Sequence, residues 1–87
     1  MVILRLYGII RVLAGRDEIE VDASSPREAL KKACETLGRE AELLIFDKLG
    51  NVYPSMLISV NDAPVRDPNA PIPKNSIVHL IPVVEGG

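Results

Sequence analysis

An α+β fold, with one main helix packed on one face of a mixed four- to five-stranded sheet, is predicted by three features of the sequence. Short runs of strand-like apolar residues stand near both ends of the chain, at Val2–Tyr7 and Ser76–Ile81. Between them lies one amphipathic helix with a complete start signal at Ser25 and Pro26. The 87 residues, 47% hydrophobic and 25% charged, suffice for one core and no second. The predicted organisation is one domain over residues 1–82, followed by a flexible tail over 83–87.

The elements follow in order. Val2, Leu4 and Leu6 alternate with Ile3, Arg5 and Tyr7, which reads as a half-buried first strand. Gly8 and the run Ile9–Ala14 lead to a turn signal at Gly15-Arg16-Asp17, after which Ile19 and Val21 point inward and Glu18, Glu20 and Asp22 outward. This pair reads as hairpin-like. Ser25 is placed as N-cap, Pro26 at the first helical position, and Glu28 to reach back to the N-cap amide. Ala29, Leu30, Ala33, Cys34 and Leu37 then recur as one apolar stripe, opposite Lys31, Lys32, Glu35 and Thr36, and Gly38 stops the helix.

From Glu40 to Phe46 the residues suit a second short helix or a turn, with Leu43, Leu44 and Phe46 expected to close one end of the core. Met56–Val60 is a strand candidate, and Asn61-Asp62 a two-residue turn into Ala63-Pro64-Val65. Proline has no amide donor, so Pro64 belongs at a sheet edge or the start of a loop. Four of the seven prolines lie from Pro64 to Pro73, which makes this segment a stiff surface loop. The last strand is apolar on both faces except at Ser76 and His79; it is central in the sheet, or one of its faces is meant for a partner.

Composition narrows the function classes. With a net charge of −2 and scattered basic residues, the chain has no stripe to neutralise a run of phosphates, and its aromatics are only Tyr7, Phe46 and Tyr53; nucleic acid is not an expected partner. No apolar run approaches the length of a membrane span and the N-terminus lacks a signal-peptide pattern, so the expectation is a soluble cytoplasmic protein. One histidine and one cysteine leave no metal site or intramolecular disulfide to expect. Cys34, on the apolar stripe, reads as a small buried hydrophobe. A lone histidine on a strand is more often packing or docking than acid–base chemistry, so His79 is placed there.

The order of elements corresponds to the β-grasp plan, in which the first and last strands lie side by side in the middle of the sheet. If Val78 and Leu80 face the helix, Ile77, His79 and Ile81 join Ile3, Arg5 and Tyr7 on the other face. The result is an apolar patch that reads as a docking surface centred on Tyr7, Ile77, His79 and Ile81, unless the short helix or the proline loop covers it. The final strand runs directly into Pro82-Val83-Val84-Glu85-Gly86-Gly87. Two glycines in these last positions arise by composition in about one chain in two hundred. A terminal glycine offers its α-carboxylate without a neighbouring side chain, and Gly86 before it lets the backbone lie flat in a narrow channel.

Two stretches carry a resemblance to the MoaD/ThiS sulfur carriers, ubiquitin-like β-grasp proteins that end in Gly-Gly. Leu6-Tyr7-Gly8-Ile9-Ile10-Arg11-Val12-Leu13-Ala14-Gly15 is similar to the "LFA-x-LRE-x-AG" opening of the molybdopterin synthase small subunit. Val60-Asn61, with Pro82-Val83-Val84-Glu85-Gly86-Gly87, is similar to its "VN … PPVxGG" close. The opening and the length favour the MoaD-like branch over ThiS. The chain departs from the pattern at Val12, where Glu is usual, at Val83, where a second Pro is frequent, and at Lys74-Asn75-Ser76, which replaces an acidic turn.

The resemblance implies a carrier with no catalysis of its own and no bound cofactor. A ubiquitin-activating-like adenylating enzyme uses ATP to activate the Gly87 carboxylate, a sulfur donor enzyme converts it to a thiocarboxylate, and the large subunit of molybdopterin synthase receives the tail. Pro82, Val83, Val84, Glu85 and Gly86 would then lie extended in the partner, with Val83 and Val84 gripping it. The same activation serves a ubiquitin-like modifier joined through Gly87 to target lysines, or a sulfur carrier for tRNA thiolation. A plain binding module docking through the sheet face is the remaining alternative.

Overall fold

The computed structural model describes residues 1–83, and its eight elements are β1 (Val2–Leu6), α1 (Gly8–Ala14), β2 (Glu18–Val21), α2 (Pro26–Leu37), α3 (Arg39–Ile45), β3 (Met56–Val60), β4 (Ala63–Pro64) and β5 (Ile77–Pro82). They build the β-grasp arrangement: a five-stranded mixed sheet in the order β2-β1-β5-β3-β4, with helices on one face. β1 and β5 run parallel at its centre, Leu4 beside Val78 and Leu6 beside Leu80. The other pairings, β1 with β2, β5 with β3 and β3 with β4, are antiparallel.

Strand periodicity sends Val2, Leu4, Leu6, Val78 and Leu80 to the helix side, where all are buried. There they meet the α2 stripe of Ala29, Leu30, Ala33, Cys34 and Leu37 in one core. The start of α2 is built as its residues require. Ser25 Oγ accepts from the Glu28 amide at 3.1 Å, and Pro26 occupies the first turn. The Glu28 carboxylate reaches one residue further back than a capping box predicts, accepting from the Ser24 amide at 2.8 Å.

Two features depart from the sequence reading. β1 and β2 do pair antiparallel, yet the connection between them contains a helix, α1. Ile9, Ile10, Val12 and Leu13 have strand-like composition; the burial of Ile10, with Leu13 and Ala14 packed beside the core three and four residues later, shows that helical spacing decides the segment. Core closure by α3 also differs: Leu43 and Leu44 are exposed, and Ala41, Ile45 and Phe46 make the seal. In a helix entered at Arg39, positions 41 and 45 share the inward face, while 43 and 44 turn to solvent.

The second hairpin forms as read. Asn61 and Asp62 both take positive φ, 48° and 71°, as a tight turn joining right-twisted strands requires, and Pro64 lies on the edge strand. The proline segment is pinned to the helix side of the molecule, its Pro68 carbonyl accepting from the Arg27 amide at 2.8 Å and its Ile72 amide donating to the Ser24 carbonyl at 2.9 Å.

Leu80 lies in the central strand with no exposed surface. Leu80→Ala should therefore cost about 3 kcal/mol, in the range for large-to-small core changes. Urea unfolding followed by circular dichroism measures this as a lower midpoint with an unchanged slope.

Candidate functional site

The face of the sheet away from the helices is open, and alternation along three neighbouring strands decides what it shows. The parallel register sets Ile3 beside Ile77 and Arg5 beside His79; the antiparallel register sets Ser59 opposite His79 and Leu57 opposite Ile81. Tyr7, just beyond β1, reaches the same surface through a hydrogen bond between its Oη and His79 Nδ1 at 2.7 Å, with the ring centroids 5.7 Å apart. In the neutral tautomer protonated at Nε2, the phenol donates and the imidazole accepts. The four residues read as a docking surface, Tyr7, Ile77, His79 and Ile81, are therefore brought together.

Neither α3 nor the proline segment covers them: Tyr7, Ile77 and Ile81 remain 36–38% exposed. Leu57, missed by the sequence reading, is 53% exposed and belongs to the same patch. Its signal was present, since burial of Met56 and Ile58 forces the residue between them outward, but only the pairing with Ile81 shows what it lies beside.

Pro82 and Val83 are fixed at one end of this face. Pro82 pairs opposite Met56 as the last residue of β5, and the next amide, of Val83, donates to the Ser55 carbonyl at 2.7 Å. On the other side, Pro82 packs against Gly8, whose φ is +59°; a Cβ built there would lie 3.3 Å from Pro82 Cγ. Gly8 thus answers two requirements, a left-handed turn out of β1 and a close approach to Pro82. Val84, Glu85, Gly86 and Gly87 lie outside the described residues.

Cys34 behaves as its position on the stripe predicts. It is 6% exposed, and burial, seconded by the Glu42 carboxylate and opposed by the Lys31 ammonium, pushes its thiol up to about 11. No group of three or more His, Cys, Asp and Glu side chains able to hold a metal occurs among the described residues, and no described helix is long and apolar enough to cross a membrane.

No protein-family profile and no curated protein sequence matches the chain. Solved structures do. The chain is similar to small archaeal modifier protein 1 from Methanosarcina acetivorans, with a TM-score of 0.87 at 19% identity, covering 99% of this chain and 95% of that one. Similarity to the Amycolatopsis orientalis BexX/CysO complex has a TM-score of 0.78 at 21% identity and covers 100% of both chains. The complex of subunits 1 and 2 of the Helicobacter pylori molybdopterin-converting factor gives 0.61 at 23% identity, covering 99% and 97%. These likenesses agree with the sheet order and helix placement in assigning a β-grasp fold of the ubiquitin-like kind.

Two outcomes follow from the geometry. Gly8→Ala and Gly15→Ala share the penalty of a positive φ, about 1 kcal/mol each, but only the first meets a neighbour, since nothing lies within 4 Å of a Cβ at Gly15. Gly8→Ala should be the more destabilising of the two in parallel denaturation curves. For Cys34, the folded thiol holds its proton more tightly than the unfolded one, whose pKa is 9.0. Its contribution to stability is therefore complete below pH 9 and lost as pH rises towards about 11. Comparing alkaline unfolding of wild type and Cys34→Ala should show a steeper decline in the wild type.

Proposed function

We propose that the chain is a carrier whose Gly87 carboxylate is adenylated by a partner enzyme, converted to a thiocarboxylate and used as a sulfur source, with molybdopterin synthesis as the destination. The observation that carries this reading is the continuity from β5, a central strand of a β-grasp sheet, through Pro82 and Val83 into residues that finish on Gly86-Gly87. The tail leaves from a rigid root beside an open apolar face. That arrangement suits presentation of a chain end to another protein.

The chemistry requires little of the carrier itself. The adenylating enzyme directs a Gly87 carboxylate oxygen onto the α-phosphorus of ATP, and pyrophosphate departs. The resulting acyl-adenylate has AMP as a good leaving group, so hydrosulfide delivered by a donor enzyme attacks the acyl carbon, the carbon–oxygen bond to AMP breaks, and a thiocarboxylate remains with no change of oxidation state. The terminal sulfur is then a stronger nucleophile than the oxygen it replaced. In this reading the domain recognises and the tail reacts. Tyr7, Ile77, His79 and Ile81, joined by Leu57, form the recognition surface, and Pro82 to Gly86 thread extended into the active site of the large synthase subunit.

A second reading, in which Gly87 is joined to lysine amines of target proteins, is supported by the likeness to small archaeal modifier protein 1. Both begin with the same adenylation and part at the product. Incubation with ATP, the activating enzyme of the same organism and a sulfur donor should raise the intact mass by the difference between sulfur and oxygen. Removing Gly86-Gly87 should abolish the change. Lysine-linked adducts without the mass change would establish the modifier instead, and neither product would refute both.

A further inference from the structure

The open sheet face is not uniformly apolar. Register sorts its centre into rows that cross β1, β5 and β3: Ile3 with Ile77 on one side, and Ile81 with Leu57 on the other. Between these apolar rows run Arg5, His79 and Ser59, one residue from each strand. Covering such a row with apolar surface alone would strip water from a guanidinium and an imidazole and return nothing.

Each member of the row offers a donor. His79 Nδ1 is taken by the Tyr7 hydroxyl at 2.7 Å, and in the tautomer that lets the phenol donate, Nε2 carries a proton for a further acceptor. Arg5 is exposed, and it has no part in the ion pairs of the described residues, Lys31 with Glu42 and Arg39 with Glu42, which lie on the helix side. Ser59 adds a hydroxyl. On the outer side of Arg5, the antiparallel register sets Glu18 opposite it and Glu20 opposite Ile3, both exposed on the same face. The face is therefore graded, acidic along β2 and basic and donor-rich at the centre, with apolar side chains flanking the central row.

We propose that the protein bound to this face places an Asp or Glu carboxylate over Arg5 and His79, between apolar side chains covering Ile77 and Ile81, and a Lys or Arg over Glu18 and Glu20. The inference rests on reading this face as the carrier's recognition surface, and it names the chemistry of the partner there. A carboxylate fits because its two oxygens accept together from a guanidinium, or one from Arg5 and one from His79 Nε2. The apolar rows exclude water around that contact, so the pair is held to one geometry and a misplaced charge is penalised. The pattern also has a direction. Acid and base on the partner are offset by one strand spacing, about 4.8 Å, and a partner seated the opposite way across the strands would bring its carboxylate against Glu18.

Calorimetric titration of the full chain into the activating enzyme of the same organism, without ATP, measures docking apart from the chemistry at Gly87. Wild type should bind, and Arg5→Leu and Arg5→Glu should each raise Kd about tenfold or more, with unchanged melting temperatures. Arg5→Leu separates the possible partners, because it enlarges the apolar patch and a purely apolar partner would hold it at least as tightly as wild type. Lys48→Glu, on the turn after α3, changes the net charge as Arg5→Glu does and should leave Kd unaltered. A wild type that does not bind, an Arg5→Leu variant that binds as well as wild type, or a Lys48→Glu variant that loses as much affinity as Arg5→Glu would each overturn the proposal. The intact-mass measurement keeps the two readings apart. A sulfur-for-oxygen shift in wild type together with unchanged affinity in Arg5→Leu refutes the partner chemistry alone, whereas Arg5-dependent binding without any mass shift refutes the carrier chemistry and upholds the docking pattern.

Discussion

The parallel pairing of β1 with β5 is the constraint on which the rest of the molecule depends. It puts the two most apolar strands side by side at the centre, with Leu4, Leu6, Val78 and Leu80 wholly buried against α2. Full burial of such a side chain contributes about 1.5–3 kcal/mol, so these four residues form a large share of the driving force. Every other strand attaches to this pair: β2 through β1, β3 through β5, and β4 through β3. A parallel pair cannot be joined by a tight turn, and the intervening chain supplies the helices that cover one face of the sheet.

The same pairing makes the open face. Side chains alternate strictly along a strand, so burying Val78 and Leu80 obliges Ile77, His79 and Ile81 to the opposite surface. The Tyr7–His79 hydrogen bond then ties the residue leaving β1 to the middle of β5. At the end of β5, Pro82 has no amide to give the ladder, and the bond from Val83 to Ser55 resumes it one residue later. The end of β5 is thus held by Ser55 on one side and by Gly8 on the other.

Much of this was legible in the sequence because its physics is local. The alternation in β1 and β5, the Ser25-Pro26 start of α2, the Asn61-Asp62 turn and the edge position of Pro64 each depend on residues within a few positions of one another. The patch of Tyr7, Ile77, His79 and Ile81 needed one further step, the central placement of the first and last strands. What was not legible depended on contacts distant in the chain. Nothing local distinguishes Ile9–Leu13 as helix from strand; the burial of Ile10 between sheet and helices decides it. Leu43 and Leu44 read as core by hydrophobicity alone, and the entry of α3 at Arg39 turned them outward. Leu57 entered the exposed patch only through its register with Ile81.

The central pair also has a consequence for how the chain comes to be folded. Tyr7 and His79 are separated by 72 residues, and no sheet centre exists until the segment bearing His79 is present. Closing so long a loop costs more conformational entropy than the local contacts within α2 or the β3–β4 hairpin. A fragment ending before β5 would lack the strand that β1 and β3 both pair with, and β2 and β4 would lose the centre they are attached to.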